Sequence, residues 1–231
     1  MKTGSRHALY LAIVLLAGGC STALSLPQNE EDGVLLYYDD DWKSYSLWYW
    51  KSPEYDPAYP IALIEPLFDV YYCRDYHWVK TNDDSYPEFE RQFDEEASVV
   101  AGDLLTDELL KTLQIDSLIE IGWSDENLSL QGELAMTQEY CESLRWRPAP
   151  DSLCSILLYS GYRYGMLAYG YGEFSSKKAG YKSSTVVITI IDSIEKKFLF
   201  SAISDLNKMP TRPKSIRKQV KGIAKVLKTP V

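Results

Sequence analysis

The pattern of apolar and polar residues is clearest between residues 185 and 227. Residues 185–191 are dense in β-branched side chains, which favour a buried strand. A polar stretch follows, and residues 198–203 are apolar again, so the two runs predict an antiparallel hairpin. After Pro213, apolar residues recur at helical spacing at Ile216, Val220, Ile223 and Leu227. This spacing predicts a C-terminal amphipathic helix that carries Pro213 in its first turn.

The remaining patterns are shorter and predict further elements. Strands are predicted at residues 34–38, 45–50, 128–136 and 153–159. Helices are predicted at residues 93–114, with Thr106 as an alternative start, and at residues 137–146. Residues 160–184 are rich in Gly, Tyr, Ser and Lys, which predicts a long flexible loop. Together these elements predict an α+β fold: an antiparallel-rich sheet, with the C-terminal amphipathic helix and at least one further helix packed on one face.

Several of these stretches carry a family resemblance, and the residues concerned are Ser184 to Asp192, Lys196 to Phe200, the helix from Ser215, Tyr162 to Gly165, Tyr169 to Gly172 and Tyr45 to Trp50. The chain resembles the bacterial lipoprotein family called domain of unknown function 4136. That family typically ends with an apolar strand closing on Asp, a Lys-Lys turn, an apolar-Trp strand and a helix. Phe200 stands where Trp is usual, and the segment 55–150 does not align. The resemblance implies a small α/β lipoprotein domain and implies no activity.

Length and charge narrow the class of protein. A chain of 231 residues with 45% hydrophobic content is long enough for one domain with a substantial core. Residues 28–137 hold 26 Asp and Glu against 6 Lys and Arg, a net charge of −20, whereas residues 205–231 are basic. An acidic body repels phosphate, so we expect no nucleic-acid partner. The lysines of the predicted C-terminal helix could contact anionic lipid or form a solvated face, and we favour the solvated face.

The first twenty residues predict export and lipid attachment. Lys2 and Arg6 precede an apolar run, and small residues then lead to Cys20 in Leu-Ala-Gly-Gly-Cys, which resembles the bacterial lipobox. We therefore predict a lipoprotein signal peptide at residues 1–19, a lipidated tether at 20–33 and a single α/β envelope domain at 34–231. Ser21 favours the outer membrane, with the domain facing either side. The alternative is an ordinary secretory signal with a coincidental cysteine.

Three cysteines remain after Cys20, so at most one internal disulfide can form. Cys141 and Cys154 are the pair we name first, and Cys73 is the remaining thiol. The spacing of these cysteines matches neither a redox pair nor a zinc site.

Aromatic residues give the chain its only candidate ligand surface. Four of the six tryptophans lie between residues 42 and 78, and tyrosines alternate with glycines near residue 170. The candidate ligand-binding residues are Trp42, Trp48, Trp50, Tyr162, Tyr164, Tyr169 and Tyr171. Flat rings stack on sugars and carboxylates accept hydroxyl protons, so the segment 37–78 suggests a glycan-binding module. The alternative is that these rings belong to the core, and we favour it because aromatic residues suit strands and bury large areas.

The sequence contains no motif that predicts catalysis. Asp39, Asp40 and Asp41 lack the alternate spacing of a calcium loop, and His77 is the only histidine after residue 20. A carboxylate-based hydrolase stays an alternative only because acids are abundant. We expect a non-enzymatic, lipid-anchored envelope protein with a structural or assembly role, without cofactor or metal, whose partners are the membrane and an envelope protein or glycan.

Overall fold

A computed structural model of the chain describes residues 34–38, 45–73, 88–120, 138–175 and 182–229. The strands in chain order are β1 Val34–Tyr38, β2 Tyr45–Lys51, β3 Ile61–Ile64, β4 Leu67–Cys73, β5 Leu118–Ile119, β6 Tyr164–Ser175, β7 Lys182–Asp192 and β8 Lys197–Leu206. The helices are α1 Glu88–Leu113, α2 Gln138–Ser143, α3 Asp151–Tyr159 and α4 Pro213–Lys228, and a 3-10 turn at Leu144–Trp146 continues α2. The predicted signal peptide, tether and strand at 128–136 lie outside the described residues.

All eight strands form one sheet with the order β1-β2-β8-β7-β6-β3-β5, and β4 pairs with β6 beyond the end of β3. In the sheet order, each neighbouring pair in β1-β2-β8-β7-β6 is antiparallel. In contrast, β3 and β4 run parallel to β6, and β5 runs parallel to β3. The chain can return to β6 in this direction because α1, α2 and α3 provide a long crossover. The predicted α+β class is confirmed, and the sheet is mixed.

Helices cover both faces of the sheet. On one face α1 and α4 pack over the strands, and their buried side chains include Leu105, Leu109, Ile216 and Val220. Arg217 on α4 bonds to Glu108 on α1 at 2.8 Å and joins the two helices. On the other face α2, the 3-10 turn and α3 bury a second apolar cluster. The predicted C-terminal helix and its companion helix on one face are confirmed, and the second helical layer is an addition to that prediction.

Two predicted elements are wrong. The segment 153–159 is the helix α3, because Leu153, Cys154 and Leu157 point to the sheet at helical spacing. The predicted loop at 160–184 contains β6, which lies in the interior of the sheet between β7 and the β3–β4 edge. The predicted hairpin and the predicted helices at 93–114 and 137–146 are confirmed, with α1 continuous through Thr106.

The glycines of β6 explain how a sequence of this composition forms an interior strand. Gly170 and Gly172 face α1 and α4, and a Cβ there would overlap the Phe68 ring and Pro210. On the opposite face of the sheet, a Cβ on Gly165 would overlap Leu157 of α3. The strand therefore needs glycine at these positions so that neighbouring side chains can approach its backbone.

Candidate functional site

The tryptophans named as candidate ligand residues belong to the core. Trp48 and Trp50 are 4% and 3% exposed, on the face that α2 and α3 cover. The Trp50 Nε1–H donates to the Cys141 carbonyl oxygen at 2.6 Å, and the Arg145 guanidinium lies 5.5 Å from the ring centre. A buried ring cannot stack on a sugar, so the prediction of a ligand surface at Trp48 and Trp50 is corrected. Trp42 lies outside the described residues.

The four candidate tyrosines divide between the two ends of β6. At its start, the Tyr162 hydroxyl bonds to the Ser117 hydroxyl, and the Tyr164 ring is buried between Tyr55 and Tyr59 with centroids 5.9 and 5.3 Å away. Tyr169 and Tyr171 lie farther along the strand and share one face of the sheet with Glu173, because alternate residues of a strand point the same way. The structure therefore does not bring all four tyrosines together.

Tyr169 and Tyr171 form a cluster with three residues that the sequence analysis did not name. In the parallel register Asp69 is opposite Tyr171 and Tyr71 is opposite Glu173. The Tyr169 hydroxyl donates to Asp69 Oδ2 at 2.5 Å, the Tyr171 hydroxyl donates to Glu173 Oε1, and the Tyr71 and Tyr171 ring centres are 5.5 Å apart. We call these five residues, Asp69, Tyr71, Tyr169, Tyr171 and Glu173, the tyrosine–carboxylate cluster. It combines the half-buried rings of Tyr71 and Tyr171 with two carboxylates where β4 pairs with β6.

Glu173 gives this cluster its electrostatic character. Its side chain is 4% exposed, and burial raises the pKa of Glu173 to about 7. Within the described residues, Glu173 Oε2 is buried without a hydrogen-bond partner. Burial and the neighbouring Asp69 charge also raise the pKa of Tyr169 well above its ordinary value, so this phenol stays a hydrogen-bond donor. A carboxyl group that is half protonated near neutral pH can act as a hydrogen-bond donor or as an acceptor.

A second charged group fixes the turn between β7 and β8. Arg163 Nε and Nη2 donate to Asp192 Oδ2 at 2.9 and 2.7 Å, and Asp192 Oδ1 accepts from the backbone N–H groups of Ile194 and Glu195. Burial opposes the charge, yet the Arg163 and backbone hydrogen bonds hold the pKa of Asp192 below its ordinary value. Since all these bonds go to the strand ends and the turn, the group is structural.

The cysteines and acids of the described part do not form a redox or metal centre. Cys141 and Cys154 are buried thiols rather than the predicted disulfide, and burial raises the pKa of each. Cys73 belongs to β4, and its side chain is outside the described set. Among the described residues, no three His, Cys, Asp or Glu side chains are arranged to hold a metal ion. In the same residues, no helix combines the length and apolar character that crossing a bilayer requires.

Comparisons with solved structures return distant likenesses. The chain is similar to the PelC dodecamer from Paraburkholderia phytofirmans at 10% identity and a TM-score of 0.41, over 80% of this chain and 98% of that one. It is similar to lipoprotein GNA1162 from Neisseria meningitidis at 11% identity and a TM-score of 0.29, over 71% of this chain and 96% of that one. No protein-family model and no curated protein matches the chain. At these TM-scores the likenesses carry no argument about function.

Proposed function

We propose that the chain is a lipid-anchored protein of the bacterial outer membrane with a non-enzymatic structural or assembly role. The observation that carries this proposal is Cys20, which follows two glycines at the end of a short apolar segment. Two acyl chains on this cysteine would hold the domain at the membrane, since each buried CH₂ adds about 0.8 kcal/mol. The resemblance of β7, β8 and α4 to the lipoprotein family supports the same role.

Labelling with palmitate tests the anchor. We expect the wild-type chain to take up labelled palmitate and to fractionate with membranes, and Cys20→Ala to lose both properties. Cys154→Ala is the matched control, because that thiol is buried beneath α3 and is not a substrate for acylation. If Cys20→Ala keeps its label and its membrane association, the anchor is wrong.

Protease treatment of intact cells separates the two possible faces of the membrane. Digestion of the wild-type domain on whole cells would place it at the surface, where capture of a glycan is the better role. Protection until the outer membrane is opened would place it in the periplasm, where an assembly role is the better one. Cys20→Ala gives the reference digestion of a chain without an anchor.

A second candidate function, glycan binding, draws on the tyrosine–carboxylate cluster. Tyr71 and Tyr171 offer half-buried rings, and the partly exposed Asp69 carboxylate beside them can accept from a sugar hydroxyl. The cluster thereby takes over the role first assigned to the tryptophans of segment 37–78. We expect binding on a panel of bacterial glycans to fail in Tyr171→Ala and to persist in Tyr159→Ala, whose ring lies at the other end of β6. A panel without any binder would exclude this candidate.

The same assay tests the remaining alternative, a carboxylate-based hydrolase. Asp69 and Glu173 are diagonal neighbours on one face of the sheet, and Glu173 would have to become accessible to a substrate before its raised pKa could serve a general acid. If a bound glycan is cleaved and Glu173→Gln binds without cleaving, the cluster is an active site. We expect the wild-type protein to bind a glycan without cleaving it.

A further inference from the structure

Exposed apolar side chains concentrate at one end of the sheet, which we call the turn end because it carries the β7–β8 turn at residues 193–196. The described residues include eight exposed large apolar side chains, and five of them lie at the turn end: Tyr59, Trp146, Leu158, Tyr159 and Ile194. Two are almost fully open, with Trp146 84% and Tyr159 96% exposed. Large aromatic residues left this accessible mark a contact surface.

Backbone contacts bring these residues to the same place. Trp146 precedes Pro148, which bridges to Lys197, and the Ala149 N–H donates to the Lys196 carbonyl oxygen at 2.8 Å. Ile194 follows Ser193, whose hydroxyl donates to the Tyr162 and Arg163 carbonyl oxygens just after the end of α3. The Tyr59 ring completes the set, because the Arg163 guanidinium lies 4.7 Å from its centre.

The N-terminal segment joins the sheet within a few residues of this end. Val34, the first residue of β1, pairs with Trp50, and Trp50 pairs with Ser201, the fifth residue of β8. The first described residue of the chain therefore lies four residues along β8 from Lys197, roughly 13 Å from the turn end. Cys20 precedes Val34 by 14 residues, a stretch that spans at most about 50 Å when fully extended. Lipid on Cys20, which is part of the function proposed above, would keep the turn end within reach of the bilayer.

We propose that the turn end docks on the lipid bilayer surface, with Trp146, Tyr159 and Ile194 in the headgroup region. Tryptophan and tyrosine are enriched at that depth because their rings are apolar and their N–H and O–H groups reach water. The charge at this end also permits approach. Lys196 pairs with Asp151 at 2.6 Å and Lys197 with Glu54 at 3.2 Å, so the charges of these residues offset one another at the turn end.

Quenching of tryptophan fluorescence by brominated lipids tests the contact. The full lipidated chain is placed in phosphatidylcholine vesicles with bromine on the upper acyl chain, and wild type is compared with Trp146→Phe. With Trp42, Trp78 and Trp123 replaced by phenylalanine in both proteins, we expect the quenching to be largely lost in Trp146→Phe, because the remaining Trp48 and Trp50 lie in the core. The quenching should change little with salt, since phosphatidylcholine carries no net charge.

A relocated tryptophan provides the matched control. Val99 is 65% exposed on α1, next to Ser98, whose hydroxyl accepts from the Val70 N–H. Val70 pairs with Gly172, eight residues along β6 from Tyr164 and so about 26 Å from the turn end. Val99→Trp in the Trp146→Phe background should therefore give no added quenching.

The outcomes separate this proposal from the proposed function. If the vesicles float in a density gradient and the protein does not float with them, the lipid anchor is refuted. If the protein floats with the vesicles but wild type and Trp146→Phe are quenched equally, the anchor stands and the docking proposal is overturned. In that case, sedimentation would show whether the protein self-associates. If it does, and Trp146→Phe and Tyr159→Ser abolish the self-association, the turn end binds a second copy of the chain.

Discussion

The side-chain amide of Gln219 on α4 donates a hydrogen bond to the Ser204 carbonyl oxygen of β8 at 2.7 Å, at a point where neither residue is exposed. The same amide donates to the Ser184 carbonyl oxygen at 2.9 Å, and its oxygen accepts from the Ser184 hydroxyl at 3.1 Å. One buried polar side chain of α4 thus ties the helix to two adjacent strands. Because polar partners must meet in register, this contact fixes where α4 lies on the sheet.

Replacing this glutamine should destabilise the domain. Gln219→Leu keeps the side-chain volume but removes a partner from two buried carbonyl groups and one hydroxyl, which we expect to cost about 3 kcal/mol. Urea unfolding measures the loss, with an unchanged dependence on urea concentration if the fold is retained. Lys221→Ala, on the solvent side of the same helix, is the control and should change stability by less than about 0.5 kcal/mol. Equal stability of Gln219→Leu and wild type would show that the hydrogen bonds from the Gln219 amide to these carbonyl groups do not stabilise the domain.

Two glycines that face the same phenylalanine should respond in opposite directions to alanine. A Cβ on Gly170 of β6 would overlap the Phe68 ring, so we expect Gly170→Ala to destabilise by about 2–3 kcal/mol. A Cβ on Gly102 of α1 would meet Phe68 Cβ at an ordinary 3.9 Å, and alanine there should stabilise the helix by about 0.5–1 kcal/mol. Thermal unfolding of both variants checks the pair. Adding Phe68→Leu to Gly170→Ala should recover part of the lost stability, whereas Phe68→Leu alone should not stabilise the wild-type protein.

The elements that were predicted correctly are those whose signal lies within a single short segment of the sequence. The strands β7 and β8 and the helix α4 show their periods within each segment, and Pro213 signals where the helix begins. The α+β class follows from these elements and α1. The parallel pairing of β3 and β4 with β6 could not be predicted, because it depends on contacts between segments about a hundred residues apart.

Both misassigned segments show why local composition misleads. Glycine and tyrosine favour a loop by composition, and only Phe68, Pro210 and Leu157, which are distant in sequence, explain the glycines of β6. For α3 a usable signal was present, since Pro150 and Asp151 precede an apolar set at helical spacing. The candidate site divides similarly. Tyr169 and Tyr171 were identified as aromatic residues, whereas Asp69 and Tyr71 join them only through the parallel register.

Asp192 should make the β7–β8 turn sensitive to acid. Its pKa is held below the ordinary value, so its contribution to stability is complete above about pH 4 and is lost as the pH falls through the folded-state pKa. Asp192→Asn keeps an acceptor for the turn N–H groups but loses the ion pair, at a cost of about 1–2 kcal/mol at pH 7. Asp192→Ala loses both and should cost about 3 kcal/mol or more.

Unfolding in urea between pH 3 and pH 7 checks this order. Asp192→Asn should lose less stability on acidification than wild type. Asp151→Asn is the control, because its ion pair with Lys196 is exposed and should contribute little. Equal acid sensitivity of wild type and Asp192→Asn would contradict the assignment.

Glu173 should act in the opposite direction and over a different pH range. Its folded-state pKa of about 7 lies above the ordinary value, so the folded domain binds the proton more tightly than the unfolded chain. Stability should therefore fall as the pH rises from about 4.5 to 7, by on the order of 2 kcal/mol, and should stay low above that range. The loss arises because an ionised carboxylate is then buried with one oxygen unpartnered within the described residues.

Glu173→Gln removes the charge while it keeps the shape and an acceptor for the Tyr171 hydroxyl. We expect its unfolding free energy to vary much less than that of wild type between pH 5 and pH 8, and to exceed that of wild type at pH 8. Tyr171→Phe is the companion variant. It removes a hydroxyl that favours the ionised carboxylate, so it should raise the pKa of Glu173 further and extend the sensitive range above pH 7. Parallel pH profiles for wild type and Glu173→Gln would show that another group controls stability near neutral pH.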